Sequence, residues 1–224
     1  MDIVYRVCEF LQKIALRLFS DYKVDGVENV PPMGPLIVVC NHQSNMDPSI
    51  LAAALPRRIW FLAKEGIFRT FIARWFLRAW GAFPLRRGET DLRAYRWSLE
   101  KLSRDQVLVV FPEGTRTRGG MRKARPGIAQ IALTTQAPIL PVGMTGTERH
   151  RSCFKVFYPS GRLRVNIGMP FSLPVVEGKP SKEVLQSLTD MIMDRVAMLL
   201  PEEYRGAYAT RRAVPRPDRP RLAG

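Results

Sequence analysis

The sequence has few of the residues from which metal centres and disulfide frameworks are built. In 224 residues it has only two histidines and three cysteines, Cys8, Cys40 and Cys153. Three widely spaced cysteines form neither a disulfide framework nor a zinc-binding pattern, and they favour a reducing compartment.

Long apolar runs are also missing. No stretch of the sequence reaches the roughly 18 uninterrupted apolar residues that a membrane-spanning helix needs. The N-terminus carries Asp2 and Glu9 and has no small-residue cleavage site, which argues against a secretory signal. We therefore expect neither a secreted precursor nor a membrane-spanning protein.

Acidic residues are scarce relative to basic ones. The 35 lysines and arginines against 20 aspartates and glutamates give a net charge of +15, which draws a protein toward polyanions. Nucleic acid and an anionic membrane surface are the candidate partners. The 46% hydrophobic content is that of a globular protein, and the length fits one α/β domain.

Two stretches carry apolar and basic residues at helical spacing. Over residues 3–19 one face collects Ile3, Val7, Phe10, Leu11, Ile14 and Leu18, and the other collects Arg6, Glu9, Lys13 and Arg17. The apolar face fits either the domain core or a membrane interface. Residues 67–80, IFRTFIARWFLRAW, place aromatic and apolar side chains beside arginines on both sides of the helix, which favours the boundary of lipid and water.

The remaining chain alternates β-rich runs with helical segments. The predicted strands are 36–40, 59–63, 107–111, 139–143, 154–158 and 162–168, and the predicted helices between and after them are 90–103, 127–136 and 181–200. Such an order indicates an α/β fold with a mixed, mostly parallel sheet flanked by helices. We expect the last two strands to pair as a hairpin. The predicted organisation is an amphipathic helix at 1–22, a catalytic domain at 23–208 and a disordered basic tail at 209–224.

The stretch NHQSNMD at 41–47 follows the apolar run LIVVC. A turn of four residues can fold the carboxylate of Asp47 onto the imidazole of His42, which would make the histidine a general base. The structural alternatives are a buried histidine and an aspartate that caps a helix starting at Pro48. Cys40 and Ser44 are near enough to be considered as nucleophiles.

The stretch VLVVFPEGTRTRGG at 107–120 places a turn and several arginines after a second buried strand. Ligands bind at the carboxyl ends of strands in open α/β sheets, and arginine captures phosphate with two parallel hydrogen bonds. This loop therefore predicts a site for a phosphate group.

NHQSNMD and FPEGTR, in that order, resemble the glycerolipid acyltransferases, in particular the bacterial 1-acylglycerol-3-phosphate acyltransferases. GAFPLRR at 81–87 and APILPVG at 137–143 are similar to two further blocks of that family. The resemblance covers roughly residues 24–170. It implies His42 as the base and Asp47 as its orienting carboxylate. It further implies substrate binding by Asn41, Arg87, Glu113, Gly114, Thr115, Arg116 and Arg125.

The resemblance also implies the reaction and its partners. An acyl thioester, either acyl-CoA or acyl carrier protein, would donate its chain to a lysophospholipid, with no metal and no tightly bound cofactor. The stretch KARPG at 123–127 lacks an aromatic residue found in many members, so another lysolipid or glycolipid stays open as acceptor. A non-catalytic protein that binds anionic membranes or nucleic acid is the alternative of a different class; the sequence has no nucleic-acid-binding motif. We expect a peripheral, monotopic protein on the cytoplasmic face of the cell membrane.

Overall fold

The computed structural model describes residues 2–86, 91–150 and 153–209. The predicted basic tail therefore lies outside the described residues, apart from Ala209. The helices are α1 (Asp2–Phe19), α2 (Asp47–Ala54), α3 (Phe71–Ala79), α4 (Leu92–Ser103), α5 (Gly127–Thr135), α6 (Lys182–Ala197) and α7 (Glu202–Arg205). The strands are β1 (Asp21–Asp25), β2 (Leu36–Cys40), β3 (Ile59–Lys64), β4 (Ala82–Leu85), β5 (Val107–Val110), β6 (Ile139–Thr145) and β7 (Arg162–Ile167).

The strands form one seven-stranded sheet in the order β1-β7-β6-β2-β5-β3-β4. Every neighbouring pair is parallel except β6 and β7, which are antiparallel. The predicted mixed, mostly parallel α/β sheet is therefore confirmed. Strand β2 lies at the centre, and all five of its residues are buried because helices cover both faces of the sheet.

Successive residues of β2 point to two different cores. Val38 packs into the core beneath α1 and α2, whereas Ile37 and Val39 pack into the core beneath α4, α5 and α6. This alternation is the two-residue period of a strand that is buried on both faces. It explains why LIVVC is apolar throughout rather than at every second position.

One pairing predicted from the sequence is wrong. Residues 154–158 do not form a strand; the segment contains a short 3-10 helix, Cys153–Val156. Strand β7 pairs antiparallel with β6 on one side and parallel with β1 on the other. Strands β1 and β4 were not predicted. Both lie at the edges of the sheet, where a strand does not need a continuous apolar run, and alternate residues of β1 are exposed and charged.

Helix α1 packs on the domain through a face other than its predicted apolar stripe. Tyr5, Gln12 and Leu16 are buried, and the Tyr5 hydroxyl accepts the main-chain N–H of Ile59 at 3.1 Å. The predicted stripe is exposed, including Phe10 at 63%. The stripe is therefore not a core surface of this domain.

Helix α3 is shorter than predicted and is buried mainly at its C-terminal end, at Ala79. Its N-cap is Thr70, whose hydroxyl accepts the main-chain N–H of Ala73. Phe71 and Trp75 are 80% and 54% exposed. Helices α1 and α3 are neighbours in the fold. Among the helices of the described ranges, none combines the length and the apolar composition of a membrane-spanning segment.

Candidate active site

Two parallel neighbouring strands bring the two sequence motifs together. Strands β2 and β5 pair in register, with Leu36 opposite Val107, so their carboxyl ends lie side by side. His42 follows β2 and Glu113 follows β5, which places both residues at the edge where parallel sheets bind ligands.

The imidazole of His42 is held by the carboxylate of Asp47. Nδ1 of His42 lies 2.7 Å from Oδ2 of Asp47, which is fully buried. An ionised carboxylate only accepts hydrogen bonds, so Nδ1–H donates to it, and in the neutral imidazole Nε2 then carries the lone pair that can accept a proton. The histidine is 9% exposed, so it is enclosed without being sealed from the surface.

The same carboxylate oxygen also holds the turn that joins β2 to α2. Oδ2 of Asp47 accepts the main-chain N–H groups of Gln43 at 2.7 Å and Ser44 at 2.8 Å. Helix α2 begins at Asp47 with Met46 as its N-cap residue, and no side-chain hydrogen bond caps it. The alternative in which Asp47 serves as a helix cap is therefore wrong, since the carboxylate points back toward the imidazole.

Phe111, which directly follows β5, stacks on the imidazole of His42. The two ring centroids are 4.3 Å apart and the planes differ by 28°. Sequence reasoning did not assign this residue a role. The only signal was an aromatic residue directly before the Pro-Glu-Gly turn.

Glu113 connects the arginine-containing turn to the histidine. Its Oε1 accepts the main-chain N–H of His42 at 2.8 Å, and its Oε2 accepts from the Thr117 hydroxyl at 2.9 Å and the Arg122 N–H at 2.8 Å. Burial raises the pKa of Glu113, and these three hydrogen bonds oppose the rise. Both carboxylate oxygens are thus engaged within the protein.

Residues 112–125, called the arginine loop below, carry the cationic side chains of the site. The Thr117 N–H donates to the main-chain oxygen of His42 at 2.8 Å, which ties the loop to the motif after β2. Gly114 has φ +68°, and a Cβ there would lie 3.1 Å from Nε of Arg125, so the arginine crosses close to the glycine backbone. Thr115 is half-buried beside it.

Five basic side chains of the arginine loop are exposed: Arg116, Arg118, Arg122, Lys123 and Arg125. Within the described part of the chain, none of the five forms an ion pair with an acidic side chain. They give an uncompensated positive charge to a loop whose main chain is hydrogen-bonded to that of His42. Such a loop suits a dianionic phosphate group.

Asn41 is brought to the site but is used within the sheet. Its amide donates to the main-chain oxygen of Met144 at 2.9 Å and accepts the Met144 N–H at 2.8 Å. It therefore joins the end of β2 to β6. Arg87 lies outside the described residues.

The two alternative nucleophiles are poorly placed for that role. Cys40 is fully buried, and burial raises the pKa of its thiol well above the usual value, with further increases from the Asp47 and Glu113 charges. The Ser44 hydroxyl donates to the main-chain oxygen of His150 at 3.0 Å. In the described residues, no group of three or more acidic, histidine or cysteine side chains could hold a metal ion.

The chain is similar in sequence to named enzymes. The chain is 28% identical over 197 residues to a 1-acyl-sn-glycerol-3-phosphate acyltransferase of Bacillus subtilis, covering 88% of this chain and 96% of that protein. It is 30% identical over 148 residues to a chloroplastic 1-acyl-sn-glycerol-3-phosphate acyltransferase of Brassica napus, covering 62% of this chain and 43% of that longer protein.

A solved structure and a family model extend the comparison. The crystal structure of the 1-acyl-sn-glycerophosphate acyltransferase PlsC from Thermotoga maritima matches with a TM-score of 0.65 and 29% identity, over 85% of this chain and 77% of that one. The sequence model of the acyltransferase family matches residues 21–145, more than half of the chain and both motifs of the site. The chain therefore belongs to the acyltransferase family.

Proposed function

We propose that this acyltransferase moves an acyl chain from a thioester to the free hydroxyl of 1-acylglycerol-3-phosphate and so forms phosphatidic acid. The proposal rests on Glu113, which connects the catalytic histidine to the arginine loop. Glu113 binds both the main-chain N–H of His42 and that of Arg122, so the base and the cationic loop are held in one arrangement. A substrate with both a hydroxyl and a phosphate matches that arrangement.

The transfer step assigns one role to each part of the site. Nε2 of His42 takes the proton of the acceptor hydroxyl as that oxygen attacks the thioester carbonyl. The new ester C–O bond forms, the C–S bond breaks, and the imidazolium returns the proton to the leaving thiolate. The Asp47 carboxylate, 2.7 Å from Nδ1, orients the ring and stabilises its positive charge.

The arginine loop selects the acceptor. Arg116 and Arg125 are exposed, uncompensated cations of that loop, and their guanidinium groups would bind the phosphate of the lysolipid with Thr115 beside them. Arg87 is assigned to the same phosphate site because GAFPLRR at 81–87 resembles a substrate-binding block of the family. The names of the relatives from Bacillus subtilis and Brassica napus support a glycerol phosphate acceptor.

The lipid substrate would reach the site from a membrane surface. The exposed apolar face of α1 and the exposed aromatic residues of α3 lie on neighbouring helices. Buried apolar area and basic side chains together are what hold a helix in the interface of an anionic membrane. Arg17 and Arg74 are exposed on these helices and would face the headgroups.

An assay of acceptors and donors tests the proposed function. Purified protein in detergent micelles is incubated with 1-acylglycerol-3-phosphate and, in parallel, with lysolipids that carry choline, ethanolamine or sugar headgroups. Each acceptor is offered acyl-CoA in one reaction and acyl carrier protein in another, and the products are read by mass spectrometry. We expect phosphatidic acid as the main product. Equal use of acceptors without a free phosphate monoester would overturn the assignment of the arginine loop.

A further inference from the structure

Residues 204–208, called the C-terminal latch below, are hydrogen-bonded to the arginine loop. The main-chain N–H of Met121 donates to the oxygen of Tyr204 at 3.0 Å, and the N–H of Ala207 donates to the oxygen of Met121 at 2.9 Å. Met121 thus both donates and accepts a main-chain hydrogen bond with the latch. Met121 is 3% exposed and belongs to the same hydrophobic core cluster as Tyr208.

The approach of the two backbones requires glycine on both sides. Gly206 has φ +49°, a backbone conformation that residues other than glycine rarely adopt. A Cβ at Gly206 would overlap the main chain of Gly120 and Met121, and a Cβ at Gly120 would overlap Gly206. The latch and the loop are therefore in direct backbone contact.

Tyr208 fixes the far end of the loop. Its hydroxyl accepts the main-chain N–H of Ala124 at 3.0 Å and donates to Oδ1 of Asp190 at 3.2 Å. The amide of Gln186 donates to the main-chain oxygen of Ala124 at 3.1 Å and to Asp190 at 2.9 Å. Burial raises the pKa of Tyr208 to about 12, so the hydroxyl keeps its proton at neutral pH.

A short chain of hydrogen bonds connects the latch to His42. Met121 and Ala124, which the latch holds, flank Arg122, whose N–H donates to Oε2 of Glu113 at 2.8 Å. The other oxygen of Glu113 accepts the N–H of His42. Glu113 and the latch thus bind neighbouring residues of the same loop segment.

We infer that Tyr208 is a positioning residue, which sets the arginine loop at the distance from His42 that the acceptor phosphate requires. The inference rests on the proposed function for its kinetic consequence. The latch lies beyond residues 21–145 that match the family model, so a loop inside the matched part of the fold would depend on a segment outside it.

The kinetic test compares two changes of tyrosine to phenylalanine in the full chain. Tyr208→Phe removes the hydroxyl that holds Ala124, whereas Tyr204→Phe removes a hydroxyl that donates to Glu148 at 3.1 Å. The loss of one buried hydrogen bond should raise the acceptor KM of Tyr208→Phe by about 3- to 10-fold. The donor KM should stay unchanged, and Tyr204→Phe should behave as wild type. An unchanged acceptor KM, or an equal rise in both variants, would overturn the inference.

A second test does not depend on any substrate. Trypsin cleaves after arginine and lysine, and Arg116, Arg118 and Arg122 in the loop are exposed. Cleavage at these bonds, followed by mass spectrometry, should be about 3- to 10-fold faster in Tyr208→Phe than in wild type and Tyr204→Phe, because the loop opens more often. Equal cleavage rates in all three proteins would contradict the inference. Should wild type form no phosphatidic acid, the proposed function fails, and this comparison still decides whether the latch holds the loop.

Discussion

Oδ2 of Asp47 lies 2.7 Å from Nδ1 of His42 and also accepts the main-chain N–H groups of Gln43 and Ser44. One buried oxygen therefore orients the base and closes the turn that carries it. Orientation and local stability depend on the same atom, so they should be lost together when that atom changes.

Asp47→Asn should lower both turnover and stability. Asparagine has no charge to stabilise the imidazolium. Its carbonyl oxygen can replace Oδ2, but its NH₂ then takes the position of Oδ1, which is buried and has no hydrogen-bond partner. A buried donor left without a partner costs about 1–3 kcal/mol. Turnover and the midpoint of urea unfolding should be measured on the same preparation. Wild-type stability with lost turnover would show that the carboxylate acts only through its charge.

Arg116→Ala should act mainly on the acceptor. A hydrogen bond to a charged group contributes about 1.5–3 kcal/mol, which is roughly 10- to 150-fold in acceptor KM. The donor KM should not change if the side chain binds the acceptor phosphate. Arg96→Ala, which removes another exposed arginine on α4, is the matched control and should match wild type in both constants. A rise in donor KM alone would place Arg116 at the donor's phosphates.

Phe10→Ser and Phe71→Ser should weaken membrane binding without unfolding the protein. Both side chains are exposed, at 63% and 80%, and substitutions at such positions usually change stability by no more than about 0.5 kcal/mol. Sedimentation with anionic liposomes should fall for both variants, while thermal unfolding stays at the wild-type midpoint. High salt should release only part of the wild-type protein, because salt screens charges but not apolar burial. Complete release by salt would contradict a role for the apolar faces.

His150 should make the protein less stable in mild acid. Burial lowers the pKa of its imidazole from 6.5, while the hydrogen bond between Nε2 and the Ser160 oxygen opposes that fall. The unfolded chain then binds more protons than the folded one just below pH 6.5, so stability falls as the pH falls through that window. Urea midpoints at pH 7.5 and 5.5 should differ more in wild type than in His150→Gln. An equal difference in both proteins would assign the acid sensitivity to other groups.

The sequence predicted the central part of the fold because burial there is uniform. Strand β2 coincides with the predicted run at 36–40, and α4 and α5 begin and end within two residues of their predicted bounds. The edge strand β1 could not be found by the same reasoning. Its residues, Asp21–Asp25, include charged side chains at exposed positions and lack an apolar run.

Sequence reasoning placed the two motifs after two strands of a mostly parallel sheet, and the carboxyl ends of parallel strands lie at one edge of the sheet. It could not predict the side-chain contacts within that site. Glu113 was expected to bind substrate, yet both of its oxygens are occupied by groups of the protein. Its main-chain partner His42 is 71 residues away in the chain, and only the folded arrangement reveals such a contact.

The most direct measurement is the turnover of His42→Ala with 1-acylglycerol-3-phosphate and an acyl thioester. General-base catalysis contributes about 10²- to 10⁴-fold, so kcat should fall by that factor. The thermal midpoint and liposome binding of the same preparation serve as controls. Liposome binding should stay near wild type, and the protein should remain folded, with a midpoint lowered only by the loss of one buried hydrogen bond and of the stacking on Phe111. A kcat near the wild-type value would contradict the account, because no other group has been assigned to take the acceptor's proton.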